Sequence, residues 1–206
     1  MGRAVPESMA IRIEAAAEAI AERGFENTRV EDLAAAARLG KTTLYYYFAG
    51  KEDILGWLLQ RLLDAVADAV ADAAGSTGSA RRRLERVVLA QLRAMAGHPA
   101  ACRALIANLG RAAGLPEIAA GVANAFHHPV SAILADGVAD ASLDPGPDLE
   151  AATTVVFGAV TITGLHYLLA PGKLDPEAAA EAVLRVVLRG LGPRPGRRPA
   201  SSPRSP

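Results

Sequence analysis

The 206-residue chain is 51% apolar but only 4% aromatic, and its formal net charge is zero. A chain of this length holds one substantial core, or a small module joined to a larger one. Neutrality excludes an overall basic character as the means of binding nucleic acid, and the single cysteine, Cys102, excludes an intramolecular disulfide and fits a reducing, cytoplasmic compartment.

The neutral total hides an asymmetry. The segment Pro193–Pro206 carries four Arg and no acid, so the rest of the chain has an excess of acidic side chains. The amino terminus lacks the uninterrupted apolar run of a signal peptide. No window reaches the ~18 uncharged apolar residues of a membrane span. The longest, Ala151–Ala170, contains four Thr and a His and reads as a buried helix, so no membrane partner is expected.

In chain order, Ala10–Arg23 places Ile13, Ala16, Ala17, Ile20 and Ala21 at helical spacing, and Gly24 stops it. Thr28 followed by Glu31 fits a capping box opening a second short helix, with Val30, Leu33, Ala34 and Ala37 as its apolar face. A turn at Arg38–Gly40 leads into a third short helix that holds four consecutive aromatic residues, Tyr45 to Phe48. Glu52 and Asp53 suit the first turn of a long helix running to Ala74. After the loop Gly75–Ser79, helices are expected near Ala80–Ala96, Pro99–Arg111, Pro116–Ala141, Asp148–Leu169 and Pro176–Leu191, with Pro129 kinking or splitting the third of these. The Pro-, Ser- and Arg-rich segment 193–206 is expected to be a disordered basic tail. The fold class is all-α, with about nine helices.

Two short helices joined by about three residues and followed by a long helix match the spacing of a helix-turn-helix. On a wheel, Leu44 and Phe48 share the side that anchors the third helix, while Thr42, Thr43 and Tyr46 face away. Lys41 and the two threonines occupy the first turn, the part of a recognition helix that reaches base edges.

Residues 11–51 resemble the DNA-binding domain of the tetracycline-repressor (TetR) family of transcription regulators, through "AERGF", the "TRVEDLAAAA" of the supporting helix and "KTTLYYYFAGKEDIL". The resemblance implies a DNA-binding domain over 6–66, with the helix-turn-helix at about 30–49, and a helical ligand-binding and dimerisation domain over 67–192. It implies base reading by Lys41, Thr42 and Thr43, and phosphate contacts by Tyr45, Tyr47 and Lys51. Tyr46 matches a position that touches backbone or base, and Thr28 or Arg29 one where the second helix presents its amino terminus to a phosphate. The family usually has Gly where Arg38 stands and Ser or Thr where Gly40 stands. A left-handed Arg38 costs about 1 kcal/mol, and its side chain is a candidate backbone contact.

The carboxy-terminal part combines an apolar composition with sparse polar groups, which suits a small-molecule pocket. Its candidate lining residues are Met95, Cys102, Leu105, Asn108, Phe126, His127, Phe157, Thr161, His166 and Tyr167. The last two helices are apolar on several faces, and the resemblance implies that they pair with their counterparts in a two-fold dimer. No HExxH, CxxC or nucleophile–base constellation stands out, so no metal, cofactor or enzyme activity is expected. The reading is a ligand-responsive homodimeric repressor that binds a double-stranded DNA operator and is released by a small, mainly apolar effector. The alternative is a helical ligand-binding or protein-interaction module whose head no longer reads DNA.

Overall fold

The computed structural model describes residues 4–108, 116–146, 148–170 and 174–192. All regular elements among these residues are helical: α1 (Glu7–Glu14), α2 (Ala16–Arg23), α3 (Val30–Ala36), α4 (Lys41–Tyr47), α5 (Lys51–Ala74), α6 (Ala80–Gly97) and α7 (Pro99–Ala107). They continue with α8 (Pro116–Val122), a π-helical segment (Ala123–His127), α9 (His128–Ala139), α10 (Leu149–Leu169) and α11 (Pro176–Gly190). The expected all-α class is therefore observed. The segment 193–206 and the expected extension of α7 to Arg111 lie outside the described residues.

Several boundaries differ from expectation for identifiable reasons. The first expected helix begins earlier, at Glu7, and tightens at Ala15, where the Glu18 N–H donates to the carbonyl three residues back (3.3 Å). The N-cap of α3 is Arg29 rather than Thr28, because Asp32 accepts the Arg29 backbone N–H at 2.9 Å. Pro129 has no N–H to offer the preceding turn, and the helix widens there into its π-helical segment before α9 resumes.

Two apolar cores share one helix. Ile13, Ile20, Leu33, Leu44 and Phe48 from α1 to the end of α4 close on Ile54, Leu55, Leu58 and Leu59 of α5. Further along α5, Leu62, Val66 and Val70 enter the larger core around Leu84, Val87, Val88, Leu92 and Met95 of α6, which α9, α10 and α11 enclose. The amino-terminal core also takes in Ala104 of α7 and Ile118 of α8. Ion pairs add register: Arg61 of α5 holds Glu14 (2.7 Å) and Glu7 (2.9 Å) of α1, and Arg103 of α7 reaches Glu18 of α2 at 2.8 Å. Within Arg81–Arg86, Arg83 pairs with Asp136 at 2.7 Å and Arg86 holds the Thr77 carbonyl at 2.7 Å.

Gly164 lets α10 approach α6 closely. A Cβ there would stand 2.7 Å from the Met95 methyl and 3.1 Å from a Leu92 methyl. Only one stripe of α10 is covered within the chain. Thr153, Val156, Val160, Gly164 and Leu168 face the core, whereas Val155, Ile162 and Leu169 are 67%, 65% and 62% exposed. By length and composition alone this helix is also apolar enough to cross a membrane.

Candidate functional site

The head is built from α4 upward. Leu44 and Phe48 are buried, and Phe48 stacks edge-on against Trp57 of α5 at 5.7 Å between ring centroids. These anchors leave Tyr45 and Tyr46 49% and 56% exposed, beside the exposed Lys41 and Thr42 and the half-buried Thr43. Tyr47 is half-buried, packs against the head core and meets Tyr46 edge-on at 4.9 Å. The four aromatic residues thus divide into one anchor, one ring at the core margin and two at the surface.

The two lysines that bracket α4 are already engaged. Lys41 pairs with Glu31 of α3 and lies 5.7 Å from the Tyr45 ring. Its hydrogen bond to Glu31 raises the Lys41 pKa and lowers that of Glu31. Lys51 donates to the Phe25 carbonyl (3.0 Å) and the Glu26 carbonyl (3.3 Å), with its ammonium 4.5 Å from the Phe25 ring. It therefore secures the connection between α2 and α3. Asp32 is held below the ordinary carboxylate range, mainly by the Arg29 N–H and then by Arg23, its ion-pair partner at 2.9 Å.

Arg38 has a positive φ of 54°, as expected for a left-handed turn residue, and its side chain is exposed. Arg12 braces that turn by donating to the Ala37 carbonyl (3.2 Å) and the Arg38 carbonyl. Gly40 caps α4 without a side-chain hydrogen bond. Thr28 requires a correction. It is buried, and its hydroxyl donates to the Gly24 carbonyl at 2.7 Å, so its side chain braces the turn after α2 instead of facing outward. Arg29 remains exposed at the start of α3.

In the larger core, α5, α6, α7, the π-helical segment and α10 surround an apolar cavity of about 70 Å³. Six expected residues line it: Met95, Cys102, Leu105, Phe126, Phe157 and Thr161. The other four do not. Asn108 is buried but turns its amide back to the Ala104 carbonyl at 2.8 Å. His127 opens onto a separate surface groove with His128 and Glu150, its ring 5.1 Å from Phe157. His166 and Tyr167 are exposed and stack on one another at 5.6 Å, because their positions in α10 lie off its buried stripe.

Gln91 is the polar lining residue that sequence reasoning missed, alongside apolar ones such as Leu62, Val66 and Leu165. It is 4% exposed, and its Nε2 donates to Thr161 Oγ1 at 2.9 Å across the cavity wall. The signal was present in the helical spacing, since Gln91 follows Leu84, Val87 and Val88 by seven, four and three residues and so falls on the core face of α6. Burial pushes the Cys102 thiol up to about 12, so it stays neutral. Among the described residues no cluster of three His, Cys, Asp or Glu is placed to hold a metal.

Residues 13–56 match the family described as bacterial regulatory proteins, tetR family. The chain is 27% identical over 191 residues to the fatty acid metabolism regulator protein of Bacillus subtilis (strain 168), covering 90% of this chain and 96% of that one. Over 88 residues it is 35% identical to the HTH-type transcriptional repressor KstR2 of Mycobacterium tuberculosis, 43% of this chain and 44% of the repressor. The structure of KstR2 superposes with a TM-score of 0.77 at 23% identity, covering 94% of this chain and 98% of that one. The Bacillus subtilis regulator FadR, solved in complex with stearoyl-CoA, superposes with a TM-score of 0.73 at 24% identity, covering 88% and 98%. The matched segment is the head whose anchors and exposed tyrosines are described above, and the likeness in fold extends through the helical body. The head therefore matches the tetR family of bacterial regulatory proteins, and the whole chain is similar to transcriptional regulators in sequence and in fold.

Proposed function

We propose that the protein is a homodimeric, cytoplasmic repressor that binds a near-palindromic operator through α4 and leaves it when a mainly apolar, acyl-type effector enters the body cavity. The observation that carries this reading is the split of α4, with Leu44 and Phe48 buried and Lys41, Thr42, Tyr45 and Tyr46 presented outward. Lys41, Thr42 and Thr43 take the base-reading role. Tyr45, Tyr46, Arg29 and Arg38 take the phosphate contacts, with Tyr47 at the margin. A tyrosine hydroxyl donates to phosphate without adding charge, which suits a head that is not basic overall. Lys51 acts first by fixing the α2–α3 connection. Lys41 must exchange Glu31 for DNA, so each binding event breaks that surface pair.

The domain division follows the two cores, with α5 common to both. The dimer uses the outer faces of α10 and α11. Val155, Ile162 and Leu169 recur every seven residues and form one exposed apolar stripe, and Val186 of α11 is 72% exposed. Seven-residue spacing is the repeat by which one helix packs along another. A second copy satisfies that stripe on both protomers at once, as a two-fold axis requires.

The complex of the Bacillus subtilis regulator FadR with stearoyl-CoA supports an acyl-type effector. At about 70 Å³ the cavity is far smaller than the roughly 300–1,000 Å³ of a site for a drug-sized ligand. Entry must therefore enlarge it. Its walls include Leu62 and Leu63 of α5 and Leu105 of α7, helices that also pack on the head. Enlargement thus displaces the elements that set the separation of two α4 helices in a dimer. Weakening operator affinity 100-fold needs about 2.7 kcal/mol of coupling.

Fluorescence anisotropy with the DNA upstream of the gene tests this reading. Salt-dependent, competitor-resistant binding that stearoyl-CoA reverses is expected. Absence of binding at low salt, with and without stearoyl-CoA, rejects it in favour of a module that no longer reads DNA.

A further inference from the structure

Apart from the sulfurs of Met95 and Cys102, the described cavity wall is carbon except where Gln91 meets Thr161. Gln91 is 96% enclosed, and while its Nε2 holds Thr161, its Oε1 is buried with no hydrogen-bond partner among the described residues. A buried acceptor left unpaired opposes folding by about 1–3 kcal/mol. The residue nonetheless occupies a core position of α6, where an apolar side chain of the same length would fit without that cost. No lining residue carries a charge, and Cys102 is held neutral by burial.

We propose that the Gln91–Thr161 pair is a recognition point for the effector, which places a neutral hydroxyl against it within an otherwise apolar body. The proposal rests on the reading of this cavity as the effector site and narrows the chemistry of what fills it. A carboxylate or ammonium at this depth would stand unpaired and be rejected. A methylene would leave Oε1 as it is. The amide itself has two orientations that differ by exchange of its N and O. In one, Oε1 needs a donor; in the other, Thr161 donates to Oε1 and the NH₂ needs an acceptor. A hydroxyl serves both, because it donates and accepts. A ketone or an ether serves one, and a hydrocarbon neither. A ligand hydroxyl also reproduces the bonds that a water at this point would make, so displacing such a water costs little.

The test uses the full-length chain and a matched pair of neutral probes, cyclohexanol and cyclohexane, titrated while the Met95 methyl signal is followed by NMR. The expected result is that wild type binds cyclohexanol about tenfold more tightly than cyclohexane. Gln91→Leu should lose that preference while binding cyclohexane at least as well. Thr161→Val, a change of similar volume on a different helix, should reduce the preference and guards against a folding defect in the first variant. Equal affinities in wild type, binding of neither probe, or a preference unchanged in both variants overturns the proposal. The outcome is separable from the regulator reading. Operator release by stearoyl-CoA without any hydroxyl preference sinks this inference alone, whereas a hydroxyl preference in a protein that never binds operator sinks the regulator reading alone.

Discussion

Helices α4 and α10 both leave large side chains in solvent, yet they do so with different chemistry. On α4 the exposed rings carry hydroxyls and stand beside Lys41, Thr42 and the left-handed turn at Arg38. On α10 the exposed stripe of Val155, Ile162 and Leu169 is carbon alone. A phosphate surface can satisfy the first and offers nothing to the second, which needs another apolar face. The contrast teaches that exposure by itself does not identify a partner; the polar atoms riding on the exposed carbon do.

Breaking the apolar side of that comparison should have the largest effect. Val155→Asp combined with Ile162→Asp places two charges on the stripe and is expected to give a monomer in sedimentation equilibrium. Operator affinity should then fall roughly 100-fold or more, because two half-sites no longer act as one ligand. A dimer that persists with unchanged affinity would refute the assigned interface. On the polar side, Tyr45→Phe removes one hydroxyl and no core contact. It should weaken binding roughly 10- to 100-fold across all operator sequences, the worth of one hydrogen bond to a charged group. Thr43→Ala should instead change which sequences are preferred. Identical effects of both on every operator would contradict the division between phosphate and base contacts.

Arg38→Gly separates stability from binding at one residue. Relief of the left-handed conformation should stabilise the fold by about 1 kcal/mol, a rise of roughly 2–4 °C in Tm for a chain of this size. Operator affinity should fall as the exposed guanidinium is lost, so a gain in both measurements would remove Arg38 from the interface. Glu31→Gln should act in the opposite sense on binding, freeing Lys41 and raising affinity several-fold at low salt, with the difference vanishing at high salt.

The smallest effect concerns acid. Glu31, Asp32 and Asp140 all titrate below their ordinary values; for Asp140 the largest cause is the Ala80 N–H, which it accepts at 3.0 Å. A carboxylate depressed by folding contributes stability that is full above its unfolded value, near pH 4, and is lost as the pH falls through its folded value. Thermal unfolding followed from pH 6 to pH 3 should show that decline, and Asp140→Asn should flatten part of it.

Much of the head was legible in the residues because its determinants are local. Leu44 and Phe48 lie four apart, Gly24 stops α2, and acidic residues open α5, so pattern and capping chemistry suffice. Thr28 was misplaced because Thr followed three residues later by Glu31 satisfies the capping pattern one register early; only the position of Asp32 shows that Arg29 is the cap. In the body, apolar composition alone could not say which side of α10 faces inward. A helix apolar all round has no wheel to read, so composition places His166 and Tyr167 among the cavity residues, whereas they lie outside it.

The sequence by itself determined the helical class, the helix-turn-helix and the division of α4 into anchor and contact faces, since each depends on residues within a few turns of one another. Tertiary structure decided which six of the ten candidate side chains line the cavity, that Gln91 reaches Thr161 across it, that Lys41 is tethered by Glu31 and that one stripe of α10 is left uncovered. Those facts depend on how helices far apart in the chain approach and rotate against each other. That geometry is set by close packing across interfaces, such as Gly164 against Met95, and no local pattern encodes it.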